Sequence, residues 1–311
     1  MRLIKRYLPL AANLASGIIF GITMPFIKSG MRVVEYDAVK FLAFRYVTGF
    51  LVMSLFLLAG IFKANFRAKP VYLLLFCGLL NPLTSQVLET TATIYSPTSQ
   101  IGLFYSLFPV LIVLLSIPIN RELPTRRQVF FMIISVSGIL LINLIGGQMK
   151  GGTTFGLILV LIATLVISVQ RVFVRRASAY FSAFETIYIA TGMGAVVFSM
   201  ATVLKYTAQG RLNSIFIGLW TPYFVIPVLY MGIFSCVLGF LCLTYAAGRL
   251  PIAVSSSTSI FNSVVVVLVG IFFLKEIFRP IDIIGTIITF SGIIGMSFSY
   301  NAKASNRFVK E

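Results

Sequence analysis

The chain has 311 residues, 59% of them hydrophobic and only 11% charged, with 25 Lys and Arg against 8 Asp and Glu. A water-soluble fold carries roughly a quarter of its residues as charged side chains to cover its exterior, so this composition excludes one and makes lipid the solvent. The net charge of +17 is spread over short clusters between apolar runs, which points to anionic lipid headgroups as partners and excludes a nucleic-acid-binding protein.

A helix needs about 20 mostly apolar residues to cross the hydrocarbon core. That ruler predicts ten spans, at residues 8–27, 40–61, 71–94, 97–119, 128–146, 154–174, 184–205, 220–245, 252–274 and 281–300. The basic start followed by an apolar run resembles a signal peptide, but the run has no clear small-residue cleavage site and reads as the first span. The second span carries Arg45, an ionisable group in lipid and therefore a functional or helix-packing candidate. In the third, Asn81, Ser85 and Glu89 recur at intervals of four, which puts them on one helical face as a polar stripe. Such a stripe lines an aqueous path. Glu89 is the clearest functional candidate, either as a contact to substrate or as a proton-coupling site, the alternative being a structural pair with Arg45.

The fourth span adds Gln100, Tyr105 and Pro109, aromatic and polar wall material for a cavity. Arg171 and Arg175 close the sixth span, where snorkelling to the headgroups is the expected behaviour. Pro227 and Tyr230 mark the eighth, the proline as a kink or gate. The ninth begins with Ser255, Thr258, Ser259 and Asn262 along about one face, suited both to close helix packing and to a substrate surface. In the tenth, Gly285, Ser291, Gly292 and Gly295 form a small-residue surface, and the sequence leaves open whether it packs within the monomer or across a homodimer. Histidine is absent, and Cys77, Cys236 and Cys242 lie in apolar stretches without paired spacing. No metal, cofactor or catalytic residue is expected.

The chain repeats itself. Gly78, Pro97, Glu122 and Gly138 recur as Gly232, Pro251, Glu276 and Gly292, each 154 residues on. Two halves, 1–147 and 148–311, follow. Five spans is an odd number, so the halves have opposite orientation in the membrane, an arrangement that places a substrate near the midplane between them. Lys and Arg number 16 on the side of the termini and 8 on the other, which predicts cytoplasmic termini.

The segments at 97–145 and 251–296, each a helix, a basic-Glu turn and a glycine-bearing helix, together with FLAFRYVTGF around Arg45, resemble the EamA type of the drug/metabolite transporter superfamily. The resemblance implies an all-α integral membrane protein of ten transmembrane helices in two inverted five-helix repeats, in a bacterial cell membrane. It also implies transport of small-molecule substrates such as amino acids, other metabolites or toxic compounds, frequently as export, and a cavity with aromatic walls and a few polar anchors fits a small amphipathic organic solute. Ser263 stands where the first half has Pro109, and the seventh span has no counterpart of Arg45, so the two halves need not share those roles. Two other classes are weighed against a carrier. An integral membrane enzyme acting on lipid needs a clustered acid/base or nucleophile set, for which eight acidic residues and no histidine give little material. A channel or scaffold differs from a carrier in showing flux that does not saturate.

Overall fold

The computed structural model describes residues 2–67, 69–120, 125–142, 152–250, 259–277 and 279–298. Regular structure among them is helical: α1 (Arg2–Gly21), α2 (Thr23–Val33), α3 (Ala38–Leu58), α4 (Val71–Gly78), α5 (Ser85–Tyr95), α6 (Thr98–Tyr105) and α7 (Phe108–Asn120) lie in the first half with α8 (Arg126–Leu140). The second half has α9 (Thr154–Ala177), α10 (Ala183–Ala208), α11 (Pro222–Leu229), α12 (Phe240–Ala247), α13 (Ser259–Phe272) and α14 (Pro280–Phe298). Among the described residues, seven helical stretches are long and apolar enough to cross a membrane, including Leu8–Val33, Val71–Tyr95 and Pro222–Ala247. The expected spans at 128–146, 252–274 and 281–300 coincide with shorter described helices, and part of each falls outside the described residues.

Local chemistry sets the helix starts. Asp37 accepts hydrogen bonds from the Val39 and Lys40 amides at the head of α3, and Thr153 accepts from Gly156 at the head of α9. Ser182 with Glu185, and Thr125 with Gln128, form reciprocal caps that satisfy amides a helix cannot pair internally.

Repeat-related helices pack against each other, and they do so antiparallel. Asp37, before α3, pairs with Lys205, near the end of α10, at 2.8 Å; Glu185, at the start of α10, pairs with Lys69, beyond the end of α3, also at 2.8 Å. Between these ends, a Cβ on Gly194 would sit 2.7 Å from the ring of Tyr46. On α6 and α13, Gly102 faces Val266 while Gly270 faces Ser99, again in opposite order. In α8 and α14, Gly138 lies against the Gly285 carbonyl and Gly292 against the Phe131 carbonyl. The glycines of that small-residue surface, Gly285, Gly292 and Gly295, are thus packed inside the chain against α8 and Ile142, whereas Ser291 is exposed.

The repeat also governs the swapped contacts. Gly78, at the end of α4, packs on Met193 of α10, whereas its counterpart Gly232 packs on Thr48 and the Arg45 carbonyl of α3. Neither helix is straight there. Leu79–Thr84 and Tyr230–Gly239 are wide π-helical turns joining α4 to α5 and α11 to α12, and the first contains Asn81 in an extended conformation (φ −145°, ψ 113°). Shifted by 154, residues 79–84 become 233–238, inside the second turn.

Two faces of the bundle can be told apart by contacts. The Thr153 amide donates to the Tyr95 carbonyl at 2.9 Å, placing the start of α9 beside the end of α5. The other end of α9, about 36 Å away at 1.5 Å per residue, lies where Ser178 meets Gly248. Lys28 and Glu276 belong to the first face, Lys69 and Glu185 to the second.

Candidate functional site

A cavity of about 120 Å³ lies between the two halves, with wall residues from α1 to α13. The two wide turns both reach it, through Asn81 from one and Ser235 and Cys236 from the other. Asn81 and Ser235 are themselves 154 residues apart, so the repeat delivers equivalent backbone breaks to one chamber.

At its centre stands Arg45, 2% exposed. Its Nη1 donates to Gln86 Oε1 at 2.7 Å, Nη2 to Ser235 Oγ at 3.2 Å and Nε to Cys236 Sγ at 3.1 Å. Gln86 Nε2 in turn donates to Glu89 Oε2 at 2.8 Å. The amide therefore stands between the two charges, and Arg45 and Glu89 form no direct ion pair. A guanidinium has five donors in a planar fork, which is what allows one side chain to tie the third-span helix to the eighth.

Tyr105 stacks on Phe108 with ring centroids 5.1 Å apart, and the Arg171 guanidinium lies 4.5 Å from the centre of the Phe108 ring. Arg171, Arg175 and Gln170 of α9 all line the cavity. For Arg171, whose guanidinium lies over the Phe108 ring, the expectation of snorkelling to headgroups is thereby corrected. At a helix end the pattern for snorkelling and the pattern for facing a chamber are the same, so only the tertiary packing distinguishes them.

Of the residues singled out from the sequence, Arg45, Asn81, Glu89, Tyr105 and Asn262 line the wall. Ser85 does not: the extended Asn81 and the wide turn break the regular spacing, and Ser85 is fully buried elsewhere. Gln100 is buried at the head of the fourth-span helix, outside the wall. Tyr230 is taken up by packing, its hydroxyl donating to the Ile19 carbonyl at 3.0 Å and its ring stacked on Phe26 at 4.1 Å. Pro227 is buried within α11, away from the wall. The side chains of Pro109 and Ser259, and all of Ser255 and Thr258, lie outside the described residues. Sequence reasoning missed Ser235, Cys236 and Thr191, which line the wall. Their signal was available for Ser235 alone, as the repeat partner of Asn81.

The wall reaches Arg175 on α9 and Ala247 on α12, at the ends of those helices on the second face. Toward the first face it stops at Thr23, Glu89 and Tyr105. Beyond them Glu276 forms a plug. Its carboxylate accepts from Lys28 Nζ at 3.0 Å, from the Thr98 and Ser99 amides at 2.7 and 2.8 Å and from Ser99 Oγ at 2.6 Å. A carboxylate at the head of a helix satisfies unpaired amides and opposes the positive end of the helix dipole. Burial alone would raise the Glu276 pKa, but the Ser99 hydroxyl, the Lys28 charge and the two amides outweigh it and hold the carboxyl below the usual value of 4.5. Gly270 makes room for this plug, since a Cβ there would come within 2.7 Å of Glu276 Oε2.

A duplicated helical bundle with apolar exterior helices and, between its halves, a chamber walled by apolar side chains with a few polar and charged ones defines a multi-pass membrane protein of the transporter class. The chain belongs to the EamA-like transporter family, which matches it twice, over residues 8–144 and 154–298. It is 25% identical over 296 residues to the uncharacterized transporter YcxC of Bacillus subtilis (strain 168), covering 94% of each chain. A probable terminal-alkyne amino-acid exporter of Streptantibioticus cattleyicolor is 22% identical over 228 residues, 73% of each chain. Among solved structures that share the fold is a crystal structure with a TM-score of 0.65 at 17% identity, over 97% of this chain and 98% of the other.

Proposed function

We propose that this protein is a secondary carrier that exports small organic metabolites across a bacterial cell membrane by alternating access, without covalent chemistry. The observation that carries this reading is the chamber between antiparallel repeat halves, reached by both wide turns and bridged by Arg45. Inverted repeats around a midplane site are the arrangement by which carriers exchange exposure between two sides. In this reading ten helices cross the bilayer, both termini are cytoplasmic, and the chamber faces the cytoplasm while the Glu276 plug closes the far side. Glu89 is the coupling candidate. An amino-acid exporter among the relatives supports amino acids as members of the substrate class.

Counterflow in proteoliposomes loaded with a panel of metabolites, run with and without a pH gradient, tests this. A carrier gives saturable exchange accelerated by solute on the opposite side. Flux that rises linearly with concentration would instead mark a channel, and absence of exchange for every member of the panel would sink the transport reading.

A further inference from the structure

We infer that residues 209–221, the connection between α10 and α11, form an anchor that lies at the boundary of lipid headgroups and acyl chains on the first face, centred on Trp220. A connection standing in water would turn polar side chains outward. This one does the reverse: Phe216 and Ile217 are each 66% exposed and Trp220 is 91% exposed, with Leu212 exposed before them and Tyr223 after them, in the first turn of α11. An exposed apolar patch of this kind marks an interaction surface. Indole and phenol rings favour the membrane interface because one part of the ring is apolar while another makes a hydrogen bond to water or headgroup.

Helix length gives the depth. From the Glu185–Lys69 pair on the second face, α10 runs 26 residues, about 39 Å at 1.5 Å per residue. The hydrocarbon core is about 30 Å thick, so the last turn of α10 stands among headgroups on the first face. Lys205 marks that boundary, directly after the exposed Val203 and Leu204. The connection that follows is therefore beyond the core, and its backbone suits that level. The Ser214 and Thr221 amides donate to the Arg211 and Gly218 carbonyls at 2.9 and 3.2 Å, but a stretch with so few regular bonds does not enter hydrocarbon, where every peptide group needs a partner.

The segment is fastened to the bundle. Lys40 Nζ donates to the Ser214 carbonyl at 2.9 Å, Ile215 is buried, and Gly218, at φ +79°, lies against Val33. With those positions held inward, Phe216, Ile217 and Trp220 are turned out as a fixed shelf. Phospholipid is the occupant because the shelf joins two spans that are already apolar outside, through Met200, Val203 and Leu204 on α10 and Ile226 on α11. Arg211 within the segment and Arg32, next to Val33, are exposed and supply charge for lipid phosphate. Fixing Trp220 at the bilayer surface also sets the depth of α11, which begins two residues later and leads into the second wide turn.

Trp220 is the sole tryptophan of the chain, so its fluorescence reports this segment without any substitution. The full-length protein is reconstituted into vesicles of phosphatidylcholine and phosphatidylglycerol and quenched by aqueous iodide, by lipid brominated near the headgroup end of its chains, or by lipid brominated near the methyl end. Emission should lie to the blue of N-acetyltryptophanamide in buffer, iodide should quench it less than that amide, and the shallow bromines should quench it more than the deep ones. Replacing two exposed positions together, Phe216→Glu with Ile217→Glu, should keep the unfolding midpoint in detergent, shift the emission to the red and raise quenching by iodide. Iodide quenching equal to that of the free amide, stronger quenching by the deep bromines, or a double variant with wild-type emission would each overturn the inference. Protection from all three quenchers would mean that a protein neighbour covers the shelf, a second copy if dilution with lipid removes the protection, and would overturn it too. No solute enters the measurement, so its outcome is separate from that of the transport reading.

Discussion

Arg45 and Gln86 meet at 2.7 Å, and through that bond a cation on α3 positions an amide that in turn holds the carboxylate of Glu89. The same guanidinium reaches Ser235 and Cys236 on the second wide turn, so one side chain sets the spacing of both halves around the chamber.

Arg45→Ala should therefore be costly beyond its volume. It leaves the Gln86 carbonyl and the Ser235 hydroxyl buried without their donor, at about 1–3 kcal/mol for each group left unsatisfied. A lowered unfolding midpoint in detergent together with lost exchange is the expected result. Arg45→Lys should not restore exchange, because a compact ammonium cannot reach three partners in a plane.

Glu89→Gln keeps the shape and a hydrogen bond to Gln86 but removes the charge. The variant should still fold, since the amide keeps the shape and the bond to Gln86. Its exchange should be abolished or lose its response to a pH gradient. Wild-type uptake with wild-type pH dependence would show that Glu89 has no part in coupling.

Because its folded-state pKa is depressed, Glu276 contributes stability that is present above the unfolded value near 4.5 and is lost as pH falls through the lower folded value. The unfolding midpoint of wild type should fall on acidification below about 4.5. In Glu276→Gln that part of the pH dependence should vanish, with a lower midpoint at neutral pH.

The seam between α8 and α14 tolerates no side chains at its glycines. Gly292→Leu would drive a side chain into the Phe131 carbonyl and the Ser135 backbone, and should destabilise by about 1–3 kcal/mol or more. Ser291→Leu, on the exposed side of the same helix, should change stability by less than about 0.5 kcal/mol. The pair of midpoints separates seam packing from a general effect of bulk.

Lys63 and Gln209 are exposed in loops on opposite faces. Single cysteines at these positions should react with a membrane-impermeant maleimide from opposite sides, Lys63→Cys only after the membrane is opened and Gln209→Cys in intact cells. Labelling of both from one side would contradict the antiparallel arrangement.

The sequence makes the helices and the duplication legible for physical reasons. Crossing lipid demands long apolar runs, and positions such as Gly138 and Gly292 admit no side chain because backbone of a neighbouring helix fills the space. The site was legible only in part. Glu89 and Asn81 stand out as polar groups in an apolar run, but the extended conformation at Asn81 breaks its helical register with Ser85. Tyr230 looks like wall material until the Ile19 carbonyl claims its hydroxyl. Arg171 obeys the pattern of a headgroup anchor, and only the position of Phe108 reveals that it points inward.

The two wide turns and the glycine seam imply a division of mechanical labour. In the proposed alternating-access carrier, helices α8 and α14, joined at glycines that abut backbone, would move as one stiff rib. Flexure would then fall on residues 79–84 and 230–239, one joint per half, and both border the chamber.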